Sequence, residues 1–203
     1  MSAISLPKPP PPATVSFAPR PLRWTATEFN RMGDTGLFEG RRPFLIDGVI
    51  WEQQPMEPQY AAALGLVTEA VRVAFGAGWR YRNQSPLHLD EYNDPVPDLS
   101  ILAGSPRDSD KHPSTASLVI EVADTSLTID TTVKAERYAT AGVPDYWVLD
   151  LNGRRLLVFR DPAPLPAGLG ATAYRAHLTY APGDAVAPLA VPTASIPVAD
   201  LIP

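Results

Sequence analysis

Proline decides where this chain can build regular structure. There are 24 among 203 residues, and each fixes φ and removes a backbone donor that a helix or ladder would use. They collect near the two ends, Pro7 to Pro21 and Pro162 to Pro203, so the sequence predicts a compact middle with looser flanks. The run Pro9 to Pro12 favours polyproline II, and residues 1–22 read as a disordered or extended arm. The rest, 23–203, is of a length for one domain when a domain takes about 150 residues.

Patterning in the middle is mixed. Thr25 to Met32 reads as a short helix capped at Thr25 or Thr27 and closed by Gly33. Phe44-Leu45-Ile46 and Val49-Ile50-Trp51 flank Asp47-Gly48, the signal of a tight hairpin. Gln59 to Phe75 places Leu64, Val67, Val71 and Phe75 at helical spacing before Gly76 and Gly78. Strands follow over Trp79 to Gln84, Leu87 to Leu89, Pro97 to Leu102 and Ser117 to Ala123. Asp130 to Ala141 reads as a helix ended by Gly142 and Pro144. Tyr146 to Leu151 and Arg155 to Arg160 are strands joined across Asn152-Gly153, and Ala173 to Tyr180 adds a hairpin before an extended tail. The fold class is α/β, a mixed sheet with antiparallel hairpins at its edges.

Charge and composition exclude several functions. Net charge is -5, and no basic stripe is present to neutralise many phosphates. There is no cysteine, which removes disulfides, thiolate zinc sites and cysteine nucleophiles. No apolar run approaches the ~18 residues of a membrane span. Residues 1–12 lack the apolar core of a signal peptide, so the cytoplasm is the expected compartment. His88, His112 and His177 show no ligand spacing, with His88 reading as a strand surface residue. Neither a serine elbow nor a phosphate-binding glycine loop is present.

Chemistry is suggested by acids inside apolar strands, where an unpaired carboxylate is costly. Asp98 lies in Val96-Pro97-Asp98-Leu99-Ser100-Ile101-Leu102, and Glu121 in Leu118-Val119-Ile120-Glu121-Val122-Ala123. Strand alternation sets Glu121 on the face of Val119 and Ala123; there it meets a cation or stays protonated. If the two strands are neighbours, Asp98 and Glu121 form an oxygen-rich pair suited to Mg²⁺ or Mn²⁺. Asp130, Lys134 and Tyr138 share one face of the following helix. Two carboxylates and an ammonium about a metal suit phosphodiester hydrolysis. Each acid has a plainer alternative: Asp98 as a turn or cap, Glu121 in a structural ion pair, and Asp130 with Lys134 as a solvated pair.

The segments LVIEVADTSL (118–127), Asp130, Lys134, Tyr138-Ala139 and GVPDYWVLD (142–150) resemble the family called Uma-two, of restriction-endonuclease type. The likeness extends to Phe44-Leu45-Ile46-Asp47-Gly48, to Pro97-Asp98 and to Val198-Ala199-Asp200-Leu201-Ile202-Pro203, covering about residues 40–203. The resemblance implies the PD-(D/E)XK nuclease fold, with Asp98 as the aspartate of the Pro-Asp motif and Glu121 as the second acidic ligand. The superfamily lysine two residues after that acid is Ala123 here, and the family lysine falls at Lys134 on the next helix. A glutamate common near the first hairpin is Phe44, and a histidine common at the start of the next helix is Tyr60. Glu57 or Glu69 is a candidate for an extra ligand.

The resulting expectation is an Mg²⁺- or Mn²⁺-dependent endonuclease acting on DNA, bound weakly or by its structure. Asp98, Glu121 and the Val122 backbone carbonyl would hold the metal. Lys134 would position the water, supported by Asp130 and Tyr138, and a homodimer is expected. Two alternatives belong to other classes: a catalytically idle interaction or dimerisation module on the same fold, and a sugar or nucleotide hydrolase using paired carboxylates without metal.

Overall fold

The computed structural model describes residues 19–108, 112–166 and 170–203; the expected arm, 1–22, lies outside these except for its last four residues. Helix α1 (Ala26–Asp34) starts at a capping box, with Thr25 and Glu28 each satisfying the other's backbone amide. It runs past Gly33, which lacks the positive φ of a left-handed stop; Gly36 has it instead. Strands β1 (Pro43–Ile46) and β2 (Val49–Glu52) form the expected hairpin, with φ of 54° at Asp47 and 72° at Gly48. Helix α2 (Pro58–Phe75) begins with proline in its first turn and ends at Gly76.

The main sheet contains β3 (Trp79–Asn83), β4 (Leu99–Ala103), β5 (Leu118–Ala123), β6 (Asp145–Asp150), β7 (Arg155–Pro164) and β8 (Thr172–Tyr180), in that spatial order. Only β5 and β6 are parallel; every other pairing is antiparallel. The crossover between the parallel pair carries three helical pieces without a break: α3 (Leu127–Ile129), a π-helical turn (Asp130–Lys134) and α4 (Ala135–Thr140). Both faces of the sheet are covered, so all six residues of β5 are buried. Leu118, Ile120 and Val122 pack toward α2, on Val67, Val71 and Phe75. Val119 and Ala123 pack toward α4, with Tyr138, Tyr146 and Phe159.

Two expectations are corrected. Leu87 to Leu89 is an extended loop, not a strand, and His88 is therefore not a strand residue. Leu87 N–H does bond the Pro95 carbonyl at 2.9 Å, but Pro86 and Pro95 have no N–H with which to continue a ladder. The expected Asn152-Gly153 turn joins β6 and β7, though without a left-handed glycine. Arg154 carries the positive φ, 46°, while Gly153 is needed because a Cβ there would sit 2.2 Å from Asp150 Oδ2.

The proline-rich end is also not loose. Strand β7 keeps Pro162 and Pro164 because β6 stops pairing at Arg160, leaving that stretch a ladder partner only in β8. Strands β9 (Ala185–Val186) and β10 (Ile196–Pro197) pair, and a 3₁₀ turn (Val198–Leu201) follows. Val198, Leu201 and Ile202 are buried in the α2-side core. Among the described residues no helix is long and apolar enough to cross a membrane.

Candidate active site

The sheet brings Asp98 and Glu121 together. Leu99 pairs with Ile120, and continuing that register by one residue sets Asp98 opposite Glu121 on the α4 side. Asp98 Oδ2 accepts the Val122 N–H at 2.7 Å. Alternation turns the Val122 carbonyl to the same side as its N–H, toward β4. The residue opposite is Pro97, which has no amide to donate, so the ladder leaves that carbonyl for another partner. The proline of Pro97-Asp98 thus frees an oxygen beside the two acids.

The crossover helix brings the remaining groups. Thr131 and Thr132 hydroxyls donate to the carbonyls of Leu127 and Thr128 at 2.7 and 2.5 Å, displacing the regular amide ladder where the π turn forms. Lys134 Nζ lies 2.8 Å from Asp130 Oδ1 and 3.1 Å from Glu121 Oε1. The Tyr138 hydroxyl donates to Glu121 Oε1 at 2.8 Å. Ser126 donates to Asp130 Oδ2 at 2.5 Å, and the Tyr146 hydroxyl to the Asp130 carbonyl at 2.8 Å. The pair of Asp130 and Lys134 is therefore buried, not solvated.

Three carboxylates, of Asp98, Glu121 and Asp130, share one ammonium, and all four side chains are buried. Burial raises Asp98 above the usual carboxylate range. Glu121 is pushed up to about 8 by burial, with Asp130 and Asp98 adding to the effect against the pull of Lys134. Burial works against the Lys134 ammonium, but Glu121 and Asp130 outweigh it and hold its pKa above the ordinary lysine value. In this arrangement Lys134 is held as an ammonium that sits within ion-pair distance of Asp130 and Glu121. The excess negative charge and the all-oxygen donors fit Mg²⁺ or Mn²⁺. Among the described residues no three Asp, Glu or His side chains are placed to share an ion. The oxygens that could hold such an ion are those of Asp98, Glu121 and the Val122 carbonyl.

A second layer fixes Asp98. The Tyr60 hydroxyl donates to Asp98 Oδ1, Gln84 Nε2 donates to the Tyr60 hydroxyl at 2.9 Å, and Arg42 donates to Gln84 Oε1 at 2.7 Å. Gln84 has a φ of 44°, a left-handed conformation that costs a residue with a side chain about 1–2 kcal/mol. Its own N–H holds the Asp98 carbonyl at 3.0 Å. Sequence reasoning missed Gln84 and Arg42. Tyr60 was visible only as a departure from the family histidine, as was Phe44, whose ring centre lies 5.6 Å from Lys134 Nζ.

Of these groups Arg42, Phe44, Tyr60, Asp98, Glu121 and Lys134 line a cleft of about 670 Å³ between the β2–α2 segment and the crossover helix. Glu57 lies on its wall, whereas Glu69 lies in a separate groove between α2 and the 191–200 segment.

A family model named Uma2, with the description "Putative restriction endonuclease", matches residues 26–199. Among solved structures, the chain is similar to "a putative nuclease belonging to DUF820" from Anabaena variabilis, at 15% identity and a TM-score of 0.59. That match covers 78% of this chain and 88% of the other. No curated protein matches the chain in sequence.

Proposed function

As the chain belongs to the Uma2 family, we propose that it is a nuclease hydrolysing phosphodiester bonds in DNA with Mg²⁺ or Mn²⁺. The observation that carries this reading is an uncompensated acid cluster, with Asp98, Glu121 and Lys134 lining the cleft and Asp130 buried against Lys134: three buried carboxylates against one buried ammonium. Asp98, Glu121 and the Val122 carbonyl are the ligands. A bound divalent ion supplies Lewis acidity toward a phosphate oxygen and lowers the pKa of coordinated water. Lys134, locked as an ammonium, orients the attacking water and offsets charge developing on the phosphate. Asp130 positions Lys134, and Tyr138 holds Glu121 in place.

The test is nicking of supercoiled plasmid, which offers both duplex and strand-separated DNA, with Mg²⁺, Mn²⁺ or EDTA. Cutting should need the metal and vanish in Asp98→Ala; equal cutting by that variant overturns the site. One observation favours a second reading, an idle binding module: Lys134 already closes on Glu121 at 3.1 Å. Millimolar Mn²⁺ separates the two, since an ion bound to the folded state raises the melting midpoint and a closed ion pair does not.

A further inference from the structure

The mouth of the cleft carries an aromatic step that the hydrolytic residues do not explain. In the first hairpin Phe44 pairs with Trp51, and their rings stack with centroids 6.5 Å apart and planes 19° from parallel. The opposite hairpin face, Leu45 and Ile50, packs on α1, so the rings of Phe44 and Trp51 are free to line the cleft. Phe44 is buried and lies near Lys134, whereas Trp51 is 42% exposed. Trp51 and Lys134 thus both neighbour the Phe44 ring, the first open to solvent and the second buried against Glu121.

The charges lining the cleft suit a single strand better than a duplex backbone. Recognition through a duplex backbone draws on roughly 6–10 phosphate contacts, but among the described residues Lys134 and Arg42 are the cations lining this cleft. Glu52, Glu57 and Asp124 line the same walls. The opposite wall, Thr128, Ile129, Thr132 and Val133, is uncharged. A cleft of about 670 Å³ is in the size range of sites that enclose a small ligand such as a nucleotide. Such a site binds a nucleic acid through the uncharged face of a base and a single phosphate.

We propose that the cleft takes an unpaired stretch of a single strand, one base stacked on Trp51 and one backbone phosphate presented to Lys134. The substrate of the site is then single-stranded or locally unpaired nucleic acid, which deepens the nuclease reading and rests on it. Base stacking tolerates any sequence, so no base preference is expected beyond stacking strength.

The experiment is fluorescence anisotropy of a short labelled oligothymidylate, an oligouridylate and a hairpin duplex, titrated with the full chain in millimolar Ca²⁺. The single strands should bind more tightly than the duplex, with a log–log salt slope of about -0.7, the release from one phosphate. Trp51→Ala should weaken single-strand binding roughly tenfold, the loss of one base stack, while Trp51→Phe keeps it near wild type. Thermal melts of both variants confirm that the exposed position leaves the fold intact. Comparison of the two single strands tells whether the sugar is read. Tighter binding to the duplex, no measurable single-strand binding, or wild-type affinity in Trp51→Ala overturns the proposal. Metal-dependent cutting of duplex with Trp51 dispensable would overturn it and leave the nuclease reading standing. Trp51-dependent binding without any cutting would do the reverse.

Discussion

The tripeptide Val-Pro-Asp occurs twice, at 96–98 and at 143–145, each time where a central strand begins. Both aspartates are buried, yet their surroundings differ in kind. Asp145 Oδ1 accepts the Trp147 indole N–H and Arg160 Nε, both at 2.8 Å. Its Oδ2 accepts the Leu189 N–H at 2.8 Å and Arg160 NH2 at 3.3 Å. One carboxylate meets one guanidinium there, and every lone pair has a fixed donor. Asp98 receives only neutral donors, Val122 N–H and Tyr60 OH, and feels the Lys134 ammonium at longer range, since that ammonium pairs directly with Glu121 and Asp130. Burial of an acid is therefore not what marks a reactive site. The balance of charge around it does, because a matched pair is closed to ions and an unmatched cluster attracts one.

The largest effect should separate the two aspartates by stability. Asp145→Ala strands the Arg160 charge and two buried donors, and should cost about 3–5 kcal/mol. In a chain of this size that is a fall of roughly 10 °C in melting midpoint. Asp98→Ala relieves like-charge crowding and should melt close to wild type, while binding no Mn²⁺. Equal losses in the two variants would break the comparison.

Next comes Glu121→Gln, which keeps an acceptor for Tyr138 but removes a ligand and a charge. Cleavage should fall by about 10²-fold or more, the scale of losing one electrostatic element of a phosphoryl site. The Mn²⁺-induced rise in melting midpoint should disappear with metal-free stability unchanged or improved. A retained rise would remove Glu121 from the ligand set.

Much of this contrast was legible in sequence, and the limits have physical causes. Period-2 alternation in 118–123 correctly sets Glu121 apart from Ile120 and Val122, because both faces of the strand are apolar and any charge stands out. The helical spacing of Asp130, Lys134 and Tyr138 correctly puts them on one face, although the π turn between them left no recognisable pattern. What sequence could not supply was pairing across the chain. Nothing near Gln84 announces that Tyr60 and Arg42 will meet it, and nothing in Val143-Pro144-Asp145 foretells Arg160 closing over it. The C-terminal prolines misled for a related reason. They forbid interior ladder positions, but the open edge of β7 and a 3₁₀ turn accommodate them, and Val198, Leu201 and Ile202 can still be buried.

A smaller effect sharpens the contrast at the level of the residues that hold Asp98. Gln84→Gly relieves the left-handed conformation while deleting the bonds to Tyr60 and Arg42. Stability should stay within about 1 kcal/mol of wild type, since relief of strain offsets the lost hydrogen bonds. Mn²⁺ affinity should fall about 10-fold, as expected when a group orienting a metal ligand is removed. A merely structural Gln84 would give the opposite pattern, lower stability with unchanged metal affinity. Retention of the wild-type affinity by Gln84→Gly would therefore end its assignment as a positioning residue.

The smallest effect is a pH signature that only an uncompensated acid can produce. Glu121 has its pKa raised from 4.5 to about 8 in the folded, metal-free protein, with burial the main cause. The folded state thus holds this proton more tightly than the unfolded chain does. The stabilisation from that proton is fully present below about pH 4.5 and is lost as pH rises through about 8. Metal-free protein should accordingly lose melting temperature between pH 5 and 8, by a few degrees relative to Glu121→Gln, whose amide does not titrate. A divalent ion competes with the same proton, so the midpoint rise caused by Mn²⁺ should grow over that interval. A Glu121→Gln profile parallel to wild type would mean that Lys134 fully neutralises Glu121, and the cluster would then be as closed as the one at Asp145.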